Sequence, residues 1–133
     1  MGKLLNKADI FAKKALDPRT VHVPEWGGDV KYKPMTMVER KEVRKRSTIQ
    51  TTDKQGTAVV EVDQETLELW SIITCTLDPT DETGVKTMFV PDDLKTLEEE
   101  MAAGAISTLS TAILQASGLA PNAFRDSEEE AKK

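Results

Sequence analysis

AAGAISTLSTAILQASGLAPNAF, residues 102–124, contains no charged side chain, in a chain where 31% of residues are charged. At 100° per residue, Ala102, Ala105, Ile106, Leu109, Ala112, Ile113 and Ala116 share an arc of about 120°, the stripe of a helix packed on a core. Gly104, Ser107, Thr108, Thr111 and Gln115 lie opposite. A helix face turned to water normally carries Lys or Glu. Ser, Thr and Gln interrupt the stretch too often for a membrane span. Two readings remain: both faces pack inside the monomer, or the small-residue face docks on another copy or a partner. Gly118 suits the left-handed C-terminal cap and Pro121 forbids continuation.

Immediately upstream, Pro91-Asp92-Asp93 suits a helix start, since proline is tolerated in the first turn and acids favour the positive dipole end. That helix carries Leu94, Leu97 and Met101 on one face, with Gly104 expected to separate it from, or bend it into, the last helix. Before it lie a loop, Asp78–Lys86, and a short apolar run, Met88-Phe89-Val90. Asp63 is expected to cap a helix reaching Leu77, where Asp78-Pro79 stops it. Its apolar members Leu67, Leu69, Trp70, Ile72, Ile73, Cys75 and Leu77 point in nearly all directions, so it reads as the core helix. Leu67, Trp70 and Ile73 are the expected packing residues. Thr57–Val62 is β-branched and reads as a strand, after a polar turn over Thr51–Gly56.

The N-terminal third reads differently. Lys7–Leu16 fits a short helix with Ile10, Phe11 and Ala15 on one face. Thr20–Lys33 alternates around Gly27-Gly28, which predicts a β-hairpin, and Pro24 places a strand end there. Thr36 and Glu39 have capping-box spacing. The helix they open has little apolar stripe beyond Val38 and Val43, and carries Arg40, Lys41, Arg44, Lys45 and Arg46. The expected architecture is α+β, mainly α: a single small domain over residues 1–120 with an N-terminal hairpin and four to five helices. A polar tail follows over 121–133. A length of 133 residues suits one domain of the usual ~100–150.

Charge is unevenly distributed. Residues 1–50 hold twelve Lys/Arg against six Asp/Glu, and residues 51–120 hold three against thirteen, within a net charge of −5. Such halves either attract, within a chain or head-to-tail between copies, or are ordinary solvated faces. The single cysteine, Cys75, excludes an internal disulfide or a CxxC zinc site. It reads as a small buried hydrophobe. No secretory leader pattern opens the sequence, so the expectation is cytoplasmic.

Catalytic chemistry finds little support. The only histidine, His22, falls on the outer side of its strand. Asp78–Gly84 lacks the alternating acids of a calcium loop, Asp92-Asp93 is explained by the helix start, and no phosphate-binding GxxxxGK spacing occurs. No catalytic residue, cofactor or metal is expected. The Arg40–Arg46 cluster admits a nucleic-acid-binding regulator, disfavoured by a pI near 5.0, interleaved Glu39 and Glu42, and no adjacent aromatics for stacking.

Ala8-Asp9-Ile10-Phe11, then Val21-His22-Val23-Pro24-Glu25-Trp26-Gly27-Gly28-Asp29-Val30, Thr36–Arg40, Asp78–Phe89 and Ser117-Gly118-Leu119 together resemble the tail assembly chaperones of long-tailed bacteriophages. The likeness spans nearly the whole chain, and the hairpin motif is its most specific part. The Asp78–Gly84 loop is longer and less regular than the family pattern. The resemblance implies a non-enzymatic protein of the host cytoplasm. It would bind the tape measure protein, keep it soluble, promote assembly of tail tube protein around it, and be missing from the virion. It also implies a longer form made by ribosomal frameshifting, for which Lys132-Lys133 would permit a slippery codon run. Expected contact residues for client or self-association are Trp26, at the hairpin tip, and Ala105, Ser107, Thr108, Thr111 and Gln115. Folding of Trp26 back onto the first helix is the structural alternative. The functional alternatives are the nucleic-acid regulator and a structural tail or head-joining subunit.

Overall fold

The computed structural model describes residues 4–12, 18–83 and 86–119. The expected tail over 121–133, Ala15 and the turn at Gly84 lie outside them. Five helices and two antiparallel hairpins make a small, mainly helical α+β domain.

Helix α1 (Lys7–Phe11) opens on a reciprocal cap: the Asn6 side chain accepts from the Asp9 amide at 2.9 Å, and Asp9 accepts from the Asn6 amide at 3.2 Å. No residue of α1 is buried. The first hairpin pairs β1 (Arg19–Val23) with β2 (Gly28–Tyr32), His22 opposite Asp29. A 3₁₀ turn over Pro24–Trp26 joins them, closed by Gly27 at φ 68°, in the left-handed region where a side chain is strained. Helix α2 (Met37–Arg46) starts as its spacing predicts: Thr36 Oγ1 accepts from the Glu39 amide, and Glu39 Oε1 accepts from the Thr36 amide at 2.9 Å. Only Val43 of α2 is buried.

The expected strand near residue 60 is present as β4 (Ala58–Val62), and it pairs with β3 (Thr48–Thr52). Strand β3 was not legible as a strand, because Thr48, Gln50 and Thr52 put polar atoms on an exposed ribbon. Helix α3 (Gln64–Cys75) buries Leu67, Leu69, Ile72, Ile73 and Cys75, while Trp70 is half-buried against the same core. It stops two residues short of the expected Leu77. Thr76 turns extended and pairs with Tyr32; the Leu77 amide donates to Lys31 O at 2.8 Å and the Lys33 amide to Cys75 O at 3.0 Å. Sheet hydrogen bonds on the hairpin edge thus replace helical ones.

After a 3₁₀ turn at Pro91–Asp93 come α4 (Leu94–Glu100) and α5 (Ala103–Ala116). The break lies at Met101-Ala102, both extended, rather than at Gly104. Helix α5 lies against α3. Its buried stripe is Ala105, Ile106, Leu109, Ser110, Ile113 and Leu114. This is rotated from the expected arc: Ala102 is exposed, and Leu114 and Ser110 face inward. The buried hydroxyls Ser71 and Ser110 donate to carbonyls of their own helices, at Glu68 (2.6 Å) and Ser107 (3.2 Å). Neither needs a partner across the interface. The C-terminus of α5 closes as a Schellman motif: Leu119 donates to Leu114 O at 2.7 Å and Gly118, at φ 78°, to Gln115 O at 3.1 Å. Ser117 Oγ accepts from the Met35 amide at 2.9 Å, tying the end of α5 to the segment before α2.

Candidate binding surface at the hairpin tip and the outer face of the last helix

Val23 is fully buried, and it anchors the turn that follows. That turn brings the hairpin tip to the junction of α4 and α5. A Cβ on Gly104 would come within 2.8 Å of Glu25 Oε1, so a side chain there would push the carboxylate aside. Helix α5 has no side-chain cap and no acid in its first turn. The Glu25 carboxylate supplies negative charge at that positive dipole end from another element. Sequence reading missed this role for Glu25; the uncapped start of α5 was its signal.

Trp26 packs against the core rather than lying free at the tip. It lines a largely apolar groove of about 390 Å³ with Met88, Phe89, Thr96, Leu97 and Met101, and Asp93 on the rim. Trp26 therefore lies with the α4 side of the molecule, not on the first helix as the structural alternative had it. The run Met88-Phe89 and the i, i+4 pair Leu97/Met101 were both legible, but their convergence on Trp26 was not. Asp93 accepts from the Val90 amide at 2.8 Å, which fixes the turn into α4 and accounts for that carboxylate structurally.

Of the five expected contact residues on α5, Ser107 and Gln115 are exposed and Thr108 and Thr111 half-buried on the outer side. Ala105 is fully buried in the core and is not part of that surface. Its place in the apolar arc, rather than opposite it, is the physical reason. Thr108 spends its hydroxyl proton on Gly104 O at 2.9 Å, leaving a lone pair outward. The outer face of α5 thus carries no charge of its own and is open at Ser107 and Gln115, while Glu25 lies against Gly104 at its N-terminal end.

The basic helix is arranged for stability as much as for contact. Arg46 donates to Glu42 at 2.9 Å and lies 4.4 Å over the Trp70 ring. Lys41, Arg44 and Lys45 are exposed and Arg40 half-buried. The half-buried Lys33 ammonium donates to Glu39 Oε1 at 2.5 Å. Burial raises the Glu39 pKa, but hydrogen bonds from Lys33 and Thr36 and the Lys33 charge outweigh it, leaving the carboxyl below its ordinary value. His22 Nδ1 lies 2.9 Å from Asp29 across the hairpin, both exposed.

Asp78 accepts from the Thr80 hydroxyl at 2.6 Å and the Thr80 amide at 2.9 Å, bonds that lower its pKa. Asp81 accepts from the Thr83 hydroxyl at 2.6 Å and the Lys86 amide at 2.8 Å. These carboxylates shape their own loop. Among the described residues no three His, Cys, Asp or Glu side chains cluster as metal ligands would, and no helix is long and apolar enough to cross a membrane. Cys75 is wholly buried, and burial pushes its thiol up to about 12. No protein-family model, curated protein or solved structure matches this chain.

Proposed function

We propose that this protein is a phage tail assembly chaperone. It covers the apolar stripe of the tape measure protein in the host cytoplasm, keeps that long helix soluble and promotes assembly of tail tube protein around it. The work is binding, without a covalent step or a cofactor. One observation carries the reading: the outer side of α5 bears no charged side chain of its own and is exposed at Ser107 and Gln115, in a chain that is 31% charged. A small-residue face of this kind permits close approach of another helix, and an absence of charge avoids stranding an ion beneath an apolar client. The resemblance of the hairpin and loop motifs supplies the client's identity and the expectation of a longer frameshifted form.

The test is co-expression with the very long helical reading frame expected downstream. The wild type should keep its product in the soluble fraction. The double variant Ser107→Glu/Gln115→Lys, altered only at exposed positions, should fold normally and lose that effect. Equal solubilisation by the variant would overturn the α5 reading, and recovery of the protein from purified virions would favour a structural subunit. The nucleic-acid alternative rests on Arg40, Lys41, Arg44, Lys45 and Arg46. Engagement of Arg46 by Trp70 and Glu42 weighs against it. Salt-sensitive gel-shift binding abolished by reversing those charges would revive it.

A further inference from the structure

Helix α2 buries only Val43. On its opposite side Met37, Lys41 and Lys45 follow one line at i, i+4 and i+8, with Val38 beside Met37. Met37 and Val38 are 63% and 77% exposed, two large apolar side chains in the first turn of a capped helix. Lys41 and Lys45 are exposed in the turns that follow, and Arg44 stands on the same side. The two acids of α2 do not neutralise this strip, because Glu39 holds Lys33 and Glu42 holds Arg46. Read from its N-terminus, the outer side of α2 is an apolar step followed by a basic strip.

The end of α5 points to the occupant. Ser117 Oγ accepts from the Met35 amide at 2.9 Å, and Leu119 is buried two residues on. The chain therefore leaves the described fold close to the start of α2. Residues 120–133 follow, with Phe124 first and then Asp126, Glu128, Glu129 and Glu130; Arg125, Lys132 and Lys133 flank the acidic run. An extended chain spans at most ~3.3–3.6 Å per residue, so Phe124, five positions past Leu119, has a reach of ~17 Å. Glu130 has about twice that reach, and α2, ten residues long, measures only ~15 Å. Apolar then acidic along the C-terminal segment matches apolar then basic along α2, both running away from Met35. We infer that residues 124–130 lie along the outer side of α2 of their own chain, Phe124 against Met37 and Val38 and the acids over Lys41 and Lys45. A tethered partner acts at an effective concentration of order millimolar, so modest charge pairs suffice. Seated there, the segment closes the basic strip to any other polyanion. The contact does not depend on the identity of the client.

The full chain carrying a nitroxide at Ser127→Cys tests this by NMR, the wholly buried Cys75 being shielded from the label. At low salt the nitroxide should broaden the amide signals of residues 37–45 more than those of any other helix, and added salt should restore them. Lys41→Glu/Lys45→Glu, altered only at exposed positions, should abolish the broadening, as should Glu128→Lys/Glu129→Lys/Glu130→Lys. The two sets combined should bring it back, a recovery that loss of folding could not produce. Phe124→Ser should weaken it at Met37 and Val38. A mixture of nitroxide-bearing chain and isotope-enriched chain without nitroxide should show none, because the contact lies within one molecule. Absence of broadening on α2, its survival of either charge reversal, or failure of the combined variant to regain it would each overturn the inference. Broadening in the mixture would overturn it too and assign the segment to a second copy. Unchanged broadening in Phe124→Ser would overturn the placement of Phe124.

Discussion

Thr76 offers the sharpest test of the packing. It is fully buried, and its hydroxyl is the one buried side-chain polar atom without a hydrogen-bond partner among the described residues. Its backbone is engaged: the amide donates to Ile72 O at 3.0 Å and the carbonyl accepts from Met88 at 2.9 Å. The residue therefore cannot move to find a partner without breaking the junction of α3, the first hairpin and the isolated bridge between Leu77 and Thr87. An unpaired buried hydroxyl costs about 1–3 kcal/mol. Valine has nearly the same shape and suits the extended backbone here, φ −76° and ψ 126°. Thr76→Val should stabilise the protein by about 1–3 kcal/mol. With a urea slope of about 1–3 kcal/mol per molar, the midpoint should rise by several tenths of a molar or more at unchanged slope. Thr76→Ser keeps the hydroxyl and loses the methyl, so it should destabilise. A neutral or destabilising Thr76→Val would refute the argument, because it would mean that the hydroxyl is satisfied in solution, by an internal water for instance.

Three further outcomes follow from the same structure. Gly118→Ala, forced to φ 78°, should cost about 1 kcal/mol by thermal melting, and a neutral result would show that the Schellman closure is not kept in solution. Cys75, buried with its thiol raised to about 12, should react with a thiol reagent at pH 8 only through unfolding and at once in denaturant; fast native labelling would contradict the burial. Two carboxylates should titrate stability in opposite senses. Glu39, held below its ordinary value, contributes stability above the unfolded-state pKa that is lost as pH falls through the folded one, so Glu39→Gln should be destabilising at pH 7 and harmless in acid. Burial raises Glu68, whose penalty is present at pH 7 and relieved as pH falls through its raised pKa. Glu68→Gln should therefore stabilise at neutral pH, with the gain fading in acid, as denaturation curves across pH would show.

Legibility followed the locality of the signal. The Thr36/Glu39 cap, the Gly27-Gly28 hairpin and the Pro91 helix start are each written within a few residues, and each stands where expected. The end of α3 was not legible, because what stops it is the pairing of Thr76 with Tyr32, forty-four positions earlier. The α5 stripe was rotated for a related reason: contact with α3, not the spacing of apolar residues alone, decides which arc is covered. Ala105 belongs to the apolar arc by spacing and is buried there, so its expected role as a contact residue does not hold. The groove lay beyond local reading, since Trp26 is distant in sequence from Phe89 and Leu97 and meets them only once the turn after β1 lies against α5.

The residues that carry the family resemblance are chiefly devices of folding. Thr36 and Glu39 cap α2, Gly118 and Leu119 close α5, Ser117 ties it to Met35, and Asp78 and Asp81 shape their own loop. Glu25 and Trp26 of the hairpin motif serve the α4–α5 junction before they serve any partner. Substitutions in these motifs would act by loosening the fold, and so could not test the proposed chaperone role against any other small binding protein. The discriminating positions lie outside the motifs' folding devices: Ser107 and Gln115 on the outer side of α5. Neither of them is buried in the core, so a loss of binding at either reports on contact alone.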